Sequence, residues 1–405
     1  MKLQLHSGPG TASVRLPDDA TIFGPAGQPA TSGPVLAALQ NPLELPQLHQ
    51  CVVPGDRIAI VADLETPGVA SLITQVWEQF QTAGCEDLDA TLLLPADPDG
   101  HGWMHLVDSI PLHVRNQLAV HQYDPADEKQ RSYLASSAGG ERIYLSHYLT
   151  DADLIVTIGT ITYDPLLGYR GTTSILYPAF SDAATIAESR RQMLLPAGPD
   201  DRRPMRELVD EVGWLLGTQF TLQIIPAADG SVAAAFCGAP DQVMQAGQQE
   251  LNRCWRCSLE EEASLAVVSI PHDTVFGWKF FGAALESAAR IVGQGGQIAV
   301  VAELPEGVGP GMEMLRRCND PEDIVEPLEK NPTPDAVETL QIVQAFYRAR
   351  IYVYSNLDAT FIEDMGLQPL ATETELQKLI DTAETVVVVP CANYAWVQLA
   401  QESRL

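Results

Sequence analysis

Positive charge is what this chain has least of. Lysine occurs only at Lys2, Lys129, Lys279, Lys330 and Lys378, and Lys plus Arg total 24 against 53 Asp plus Glu. The formal net charge of −29 repels phosphate backbones and anionic lipid, which argues against nucleic acid and membrane surfaces as partners. The acidic residues are spread along the chain rather than gathered in a tail, as on a solvated acidic surface. Long apolar runs are missing too: none approaches the roughly 18 residues that span a bilayer. The start, MKLQLHSGPGTASVRLPDD, lacks the apolar segment of a signal peptide, so a soluble, cytoplasmic protein is expected. Repeats and low-complexity segments are also lacking.

Cysteine is present but unpatterned. Seven residues, Cys51, Cys85, Cys237, Cys254, Cys257, Cys318 and Cys391, make an odd set without a secretion signal, which suits reduced thiols. Cys254 and Cys257 form a CWRC pair. A structural zinc site needs a second such pair. Buried thiols are the expected reading, with redox and metal roles as alternatives.

What is there in quantity is apolar residue, 46% of the chain, enough for a large core across two domains. The runs RIAIVAD (57–63), DATLLLP (89–95), LAVHQYD (118–124) and DLIVTIG (153–159) are short and almost continuously apolar. That is the pattern of parallel strands covered on both faces. Amphipathic segments such as SLITQVWEQFQTAG, stopped by Gly84, alternate with them. FTLQIIPAADGSVAAAFCG then carries Asp229-Gly230 between alternating runs, a hairpin signal. After the acidic patch SLEEEA a second series begins, with ASLAVVSIP, QIAVVAEL, RIYVYSNL and TVVVVPCA as strands and helical stretches between them. The expected fold class is α/β: two doubly wound domains, 1–258 and 259–405, with an interdomain cleft and a β-hairpin insertion near 220–237. Ligands favour such clefts and the carboxyl ends of parallel strands.

The stretch GTITYDPLLGYRGTTS (159–174) follows one such strand and leads into SDAATIAESRRQML. It holds Gly159, Gly168 and Gly171, then Thr172, Thr173 and Ser174, but no lysine, histidine or cysteine. Backbone N–H groups and hydroxyls there suit a phosphate or carboxylate, and Arg170 adds a forked donor. The glycine spacing matches neither the Walker loop nor the dinucleotide fingerprint, and a purely structural turn is an equal alternative.

Elsewhere the candidates are single side chains. His101 and His105, four apart beside Asp97 and Asp99, would share one helix face and hold a metal. Gly100 and Gly102 favour loop or surface histidines instead. His272, beside Asp273 after the strand LAVVSIP, is placed for base or ligand work, or simply as a hydrogen-bonded loop residue. Lys279 lies among aromatics in VFGWKFFG; it is either a desolvated amine or, more ordinarily, a snorkelling one. Asp63 ends the first strand and either caps a helix or orients a ligand. No Ser-His-acid set can be picked out by spacing.

Taken together, VLAALQNPLELPQL before VPGDRIAIVAD, the stretch TDADLIVTIGTITYDPLLGYRGTTSILYPAFSDAATI, and VVAELPEGVG (300–309) resemble the lactate racemase family in order and spacing. The resemblance implies two α/β domains with a nickel-pincer nucleotide between them. It also implies a lysine holding the pyridine-derived ring covalently, a histidine on nickel, two histidines exchanging the substrate proton, and a cofactor that takes and returns a hydride. This chain departs from that pattern at each of those positions. Asp164 stands at a histidine position, Ser174 at the attachment lysine and Arg190 at the nickel histidine. Ala96 and Asp97 replace the GTHRP-type histidine and arginine, and Thr66 replaces the arginine of the DxTRP segment. His121 keeps a match to a histidine common in the family but not catalytic.

Serine cannot form the link a lysine makes, and an arginine is always charged and does not ligate nickel. The expectation is therefore a retained cleft that binds a small anionic or nucleotide-like ligand, without covalent nickel-pincer chemistry and without a metal. The ligand-binding set is Asp63, Thr66, Gly168, Arg170, Gly171, Thr172, Thr173, Ser174 and Arg190. One alternative is an active 2-hydroxyacid racemase or epimerase with Tyr163, Asp164, His101, His105 and His272 as proton-transfer candidates; of these Asp164, Tyr163 and His272 form the catalytic set. The other is a scaffold or regulatory protein without a small ligand.

Overall fold

The computed structural model describes residues 2–7, 10–25, 33–81, 88–96, 101–191, 198–217, 220–271 and 275–400. The chain divides into two compact units. One runs to Pro226 and then from Ser231 to Asn252, without the N-terminal strands. The other takes those strands, the turn Ala227–Gly230 and everything from Arg253 on. The expected division lay between 258 and 259; the units part between Asn252 and Arg253, and the second unit is discontinuous in sequence.

In the Ser231–Asn252-containing unit the sheet order is Val232–Gly238, Phe220–Pro226, Leu154–Thr160, Arg57–Ala62, Asp89–Leu94, Ala119–Gln122. All neighbours are parallel except the first pair. Every residue of Arg57–Ala62 after the arginine is buried, because both faces are covered. Ile58, Ile60 and Ala62 pack with Leu72, Ile73 and Val76 of the helix Val69–Gln81. Ala59 and Val61 face Phe180, Met205, Val209 and Val212 on the other side. Continuous apolar runs follow from that double burial. The hairpin turned at Gly230 (φ +79) exists as expected. It is not an insertion, since Phe220–Pro226 pairs with Leu154–Thr160 as a full member of the sheet.

The chain adds strands outward from Arg57–Ala62 to Ala119–Gln122, then returns to place Leu154–Thr160 on the other side. The switch point lies between Arg57–Ala62 and Leu154–Thr160, where open α/β sheets hold ligands.

In the other unit six parallel strands run in the order Gln368–Pro369, Ala349–Tyr354, Val292–Val301, Ala263–Ser269, Val386–Val389, Thr21–Ile22. The hairpin Lys2–Ser7/Gly10–Arg15 buries Leu5, Ala12 and Val14 against Leu265, Val267 and Val388. Those contacts tie the N-terminal strands to this unit. The segment VVAELPEGVG ends at Gly309, just before the helix Pro310–Arg317. Asp335, 8% exposed, accepts the N–H groups of Gly311 (2.8 Å) and Met312 (2.9 Å). A Cβ at Gly309 would lie 2.4 Å from that carboxylate. The helix start is thus satisfied by the chain's own anion. Replacing Asp335 by alanine leaves two buried donors unmatched and lowers the unfolding free energy by about 2 kcal/mol, measured by urea denaturation. An unchanged midpoint would remove this account of the segment.

Candidate functional site

At the switch point the strand Arg57–Ala62 continues into Asp63, whose N–H donates to Ile158 O at 2.9 Å. The chain then turns tightly: Thr66 N–H donates to Asp63 O, and Glu65 N–H to Asp63 Oδ1 at 3.2 Å. This turn leads into the helix Val69–Gln81. Asp63 fixes this turn and also meets the Arg170 side chain across the switch point.

On the neighbouring strand Thr160 is followed by a short hairpin, Thr162–Asp164 against Gly168–Arg170, with Tyr163 opposite Tyr169. Asp164 closes its turn by accepting the N–H groups of Leu166 (2.9 Å) and Leu167 (2.8 Å), as Asx turns do. Gly168 sits at φ +73, and a Cβ there would lie 2.3 Å from Pro199 O, so backbone approach requires glycine. Arg203 Nη1 and Nη2 donate to the carbonyls of Pro165 (2.6 Å) and Gly198 (3.0 Å).

The hairpin delivers Arg170 to the turn after the first strand. Its Nη2 donates to Asp63 Oδ2 and its Nη1 to Glu65 Oε2, both at 2.6 Å. The exposures are 19% for Arg170, 7% for Asp63 and 18% for Glu65. Burial works against the charge of Arg170, and the carboxylates of Asp63 and Glu65 more than offset it, so the guanidinium holds its proton above the ordinary arginine range. Beneath, Thr160 Oγ1 donates to Thr66 Oγ1 at 3.2 Å, both buried.

Beyond Arg170 the backbone is unusual. Gly171 lies at φ +139 and Thr172 at φ +52. A β-branched residue in the left-handed region is strained, and such strain concentrates at functional sites. Ser174 Oγ accepts the Gly171 N–H at 2.8 Å, closing the turn. The helix Pro204–Leu216 braces it: Arg206 Nη1 donates to Tyr169 O (3.2 Å) and Nη2 to Thr173 Oγ1 (3.5 Å). Gly213 of the same helix leaves room for Thr173, since a Cβ would stand 2.4 Å from its methyl. Below the loop, Gln223 Nε2 donates to Thr221 Oγ1 (2.8 Å), while its Oε1 is buried without a hydrogen-bond partner.

The structure therefore brings Asp63, Thr66 and Arg170 together, with Gly168, Gly171, Thr172, Thr173 and Ser174 shaping one continuous loop. Tyr163 is next to this group, but its hydroxyl donates to Asn252 Oδ1 at 2.8 Å, away from Asp63. Asp164 serves the turn. Arg190 is half-buried in the last turn of the helix Ala183–Arg191. His272 and Asp97 lie outside the described residues. Residues 101–109 form a helix despite Gly102, with His105 exposed on it; the glycines did not make it a loop. The side chain of His101 is outside what the structure describes. Lys279 is exposed on the helix Gly277–Ala289, the snorkelling alternative. His121 Nε2 lies 3.0 Å from Gln130 Oε1, and its ring stands 4.2 Å from that of Tyr148. Cys254 is buried and Cys257 half-buried, and neither is in a disulfide. Glu65, Asn252 and Arg206 were not foreseen. Glu65 alone had a signal, two residues after Asp63 on the same turn. Among the described residues no group of three or more His, Cys, Asp or Glu is placed to hold a metal ion, and no helix is long and apolar enough to cross a membrane.

A parallel sheet wound on both sides, with a glycine-rich loop and a paired arginine at its switch point, defines the class. Residues 12–198 match the family model of the lactate racemase N-terminal domain. That stretch of the chain is therefore similar to the N-terminal domain of lactate racemase, in line with the sequence resemblance. Among solved structures it is similar to the lactate racemase apoprotein from Thermoanaerobacterium thermosaccharolyticum, at 14% identity and TM-score 0.76, over 98% of this chain and 100% of that one. It is also similar to a protein from Thermotoga maritima, at 13% identity and TM-score 0.65, over 92% and 99%. At those identities the likeness speaks to fold. No curated protein sequence matches.

Proposed function

We propose that this lactate-racemase-like protein binds a small anionic or nucleotide-like ligand, without covalent attachment, where its first unit's sheet switches direction. The observation that carries this reading is Arg170. Its guanidinium is delivered by a dedicated hairpin to the carboxyl ends of two adjacent parallel strands, and is 19% exposed beside a strained loop. Oxyanions are the natural partners of such a fork.

The side chains at the positions that the resemblance assigns to the nickel-pincer nucleotide do not fit that group. Ser174 has no amine, is 9% exposed and holds the Gly171 N–H. Arg190 has no lone pair to offer a metal. The test is intact-mass analysis together with metal analysis of protein produced alongside cofactor-building enzymes. Unmodified mass is the expected result. A covalent adduct with one nickel per chain would overturn the reading and favour an active 2-hydroxyacid racemase or epimerase.

A further inference from the structure

We infer that Gln223 sets the specificity of the loop site: its Oε1 is a buried acceptor for a hydrogen that the ligand brings. The site therefore takes an oxyanion that still carries a proton, such as hydrogen phosphate, over one that carries none, such as sulfate. This rests on the binding proposed above.

The neighbours of Gln223 fix the orientation of its carboxamide. Thr157 and Thr221 stand side by side on adjacent parallel strands. Thr157 Oγ1 donates to Thr221 Oγ1 at 2.7 Å, and Thr221 Oγ1 donates to Thr157 O at 3.2 Å. A hydroxyl has a single hydrogen, so Thr221 Oγ1 is left only to accept from Gln223. It does so from Nε2 at 2.8 Å. The amide nitrogen is thus turned to the strand, and the oxygen is the end left over. Gln223 is 0% exposed, and its Oε1 has no hydrogen-bond partner. Two glycines border that oxygen. A Cβ would lie 3.0 Å from it at Gly159 and 3.4 Å from it at Gly171, so neither residue covers it with a side chain. Gly171 directly follows Arg170, which puts the carboxamide beneath the loop that carries the guanidinium.

Burying an acceptor without a donor is costly, and a methionine would fill similar space without that cost. Proteins break such rules chiefly at functional sites. The surroundings of Arg170 are also rich in acceptors. The Gly171 N–H is already given to Ser174 Oγ. The carboxylates of Asp63 and Glu65 stay on Arg170, through Nη2 and Nη1, and a guanidinium has five N–H donors in all. An oxyanion with a hydrogen can accept from the remaining donors and give that hydrogen to Oε1. An oxyanion without one sets a further unmatched acceptor against it.

The test is calorimetric titration of the full chain with inorganic phosphate and with sulfate at matched ionic strength. At pH 8 a phosphoryl group is close to a dianion, as sulfate is. The unaltered chain should bind phosphate about tenfold more tightly than sulfate, the worth of one charge-assisted hydrogen bond. In Gln223→Met phosphate should weaken about tenfold, to the level of sulfate, while the urea midpoint holds or rises because the unmatched acceptor is gone. Arg170→Gln should lose both anions. Equal affinities in the unaltered chain, or a preference that survives Gln223→Met, overturn the role of Gln223 and leave the binding proposal standing. A Gln223→Met protein with a lowered midpoint and neither anion bound makes Gln223 structural, and overturns its role as well. No binding of either anion to the unaltered chain, or binding that survives Arg170→Gln, overturns the binding proposal and the role of Gln223 with it. Should Gln223→Met fail to fold, Gln223→Leu removes the same acceptor and is read in the same way.

Discussion

Replacing Asp63 by alanine is expected to lower the unfolding free energy by about 3 kcal/mol, the low end of what breaking a buried ion pair costs. The residue is 7% exposed and does two things at once. Its Oδ2 faces the Arg170 guanidinium at 2.6 Å, and its Oδ1 accepts the Glu65 N–H. The loss is kept to the low end because Arg170 is about a fifth exposed and retains Glu65. Asp63→Asn keeps an acceptor for the Glu65 N–H and loses only the charge, so its cost should fall to about half. Glu207, paired with Arg202 on the open surface with both side chains more than half exposed, is the internal control. Glu207→Gln should leave the urea midpoint where it is. An Asp63→Ala midpoint as unaffected as that of the control would mean that the ion pair does not hold the switch-point turn.

How much of this was legible in the sequence depends on whether the signal was local. The strands Arg57–Ala62, Asp89–Leu94 and Leu154–Thr160 declared themselves because burial on both faces leaves no polar alternation to blur the run. The hairpin at Asp229-Gly230 did so because its turn needs a positive φ. What the chain could not show is partnership at a distance. Arg170 and Asp63 are 107 positions apart, and nothing near Arg170 announces that its fork is filled by two carboxylates. The placement of the N-terminal strands is non-local in the same way. Thr21–Ile22 joins a sheet whose neighbouring strand begins at Val386. The helix at 101–109 formed through Gly102 because Leu106 and Ile110 bury against the same core as Trp77, and tertiary packing outweighed a weak local propensity. Arg170 was read as an open donor, yet it is paired with Asp63 and Glu65.

Between pH 7 and pH 9.5 the protein should lose about 3 kcal/mol of stability, most of it through Cys237 and Cys391. Both are buried free thiols, at 1% and 3% exposure. Burial pushes the Cys391 thiol up to about 12, and its Sγ donates to Ala228 O at 3.1 Å. Burial raises Cys237 further still. An unfolded thiol ionises near pH 8.5, so the folded-state values are raised above the unfolded ones. The stabilisation is fully present below about pH 8.5. It is lost as pH climbs toward the folded values, at about 1.4 kcal/mol per thiol per unit, because the unfolded chain releases its protons first. Cys257, raised by burial to about 11 but more accessible, adds less. Urea midpoints at pH 7.0, 8.5 and 9.5 read the slope directly, and the Cys237→Ala/Cys391→Ala variant should flatten it even where its absolute stability is lower. A slope that survives the double substitution would place the alkaline loss on other groups. Tyr123 and Tyr177, both raised by burial to about 12, enter only above pH 10, where an unfolded tyrosine begins to ionise. The same burial that creates the slope keeps both thiols protonated at neutral pH, so neither is a nucleophile there.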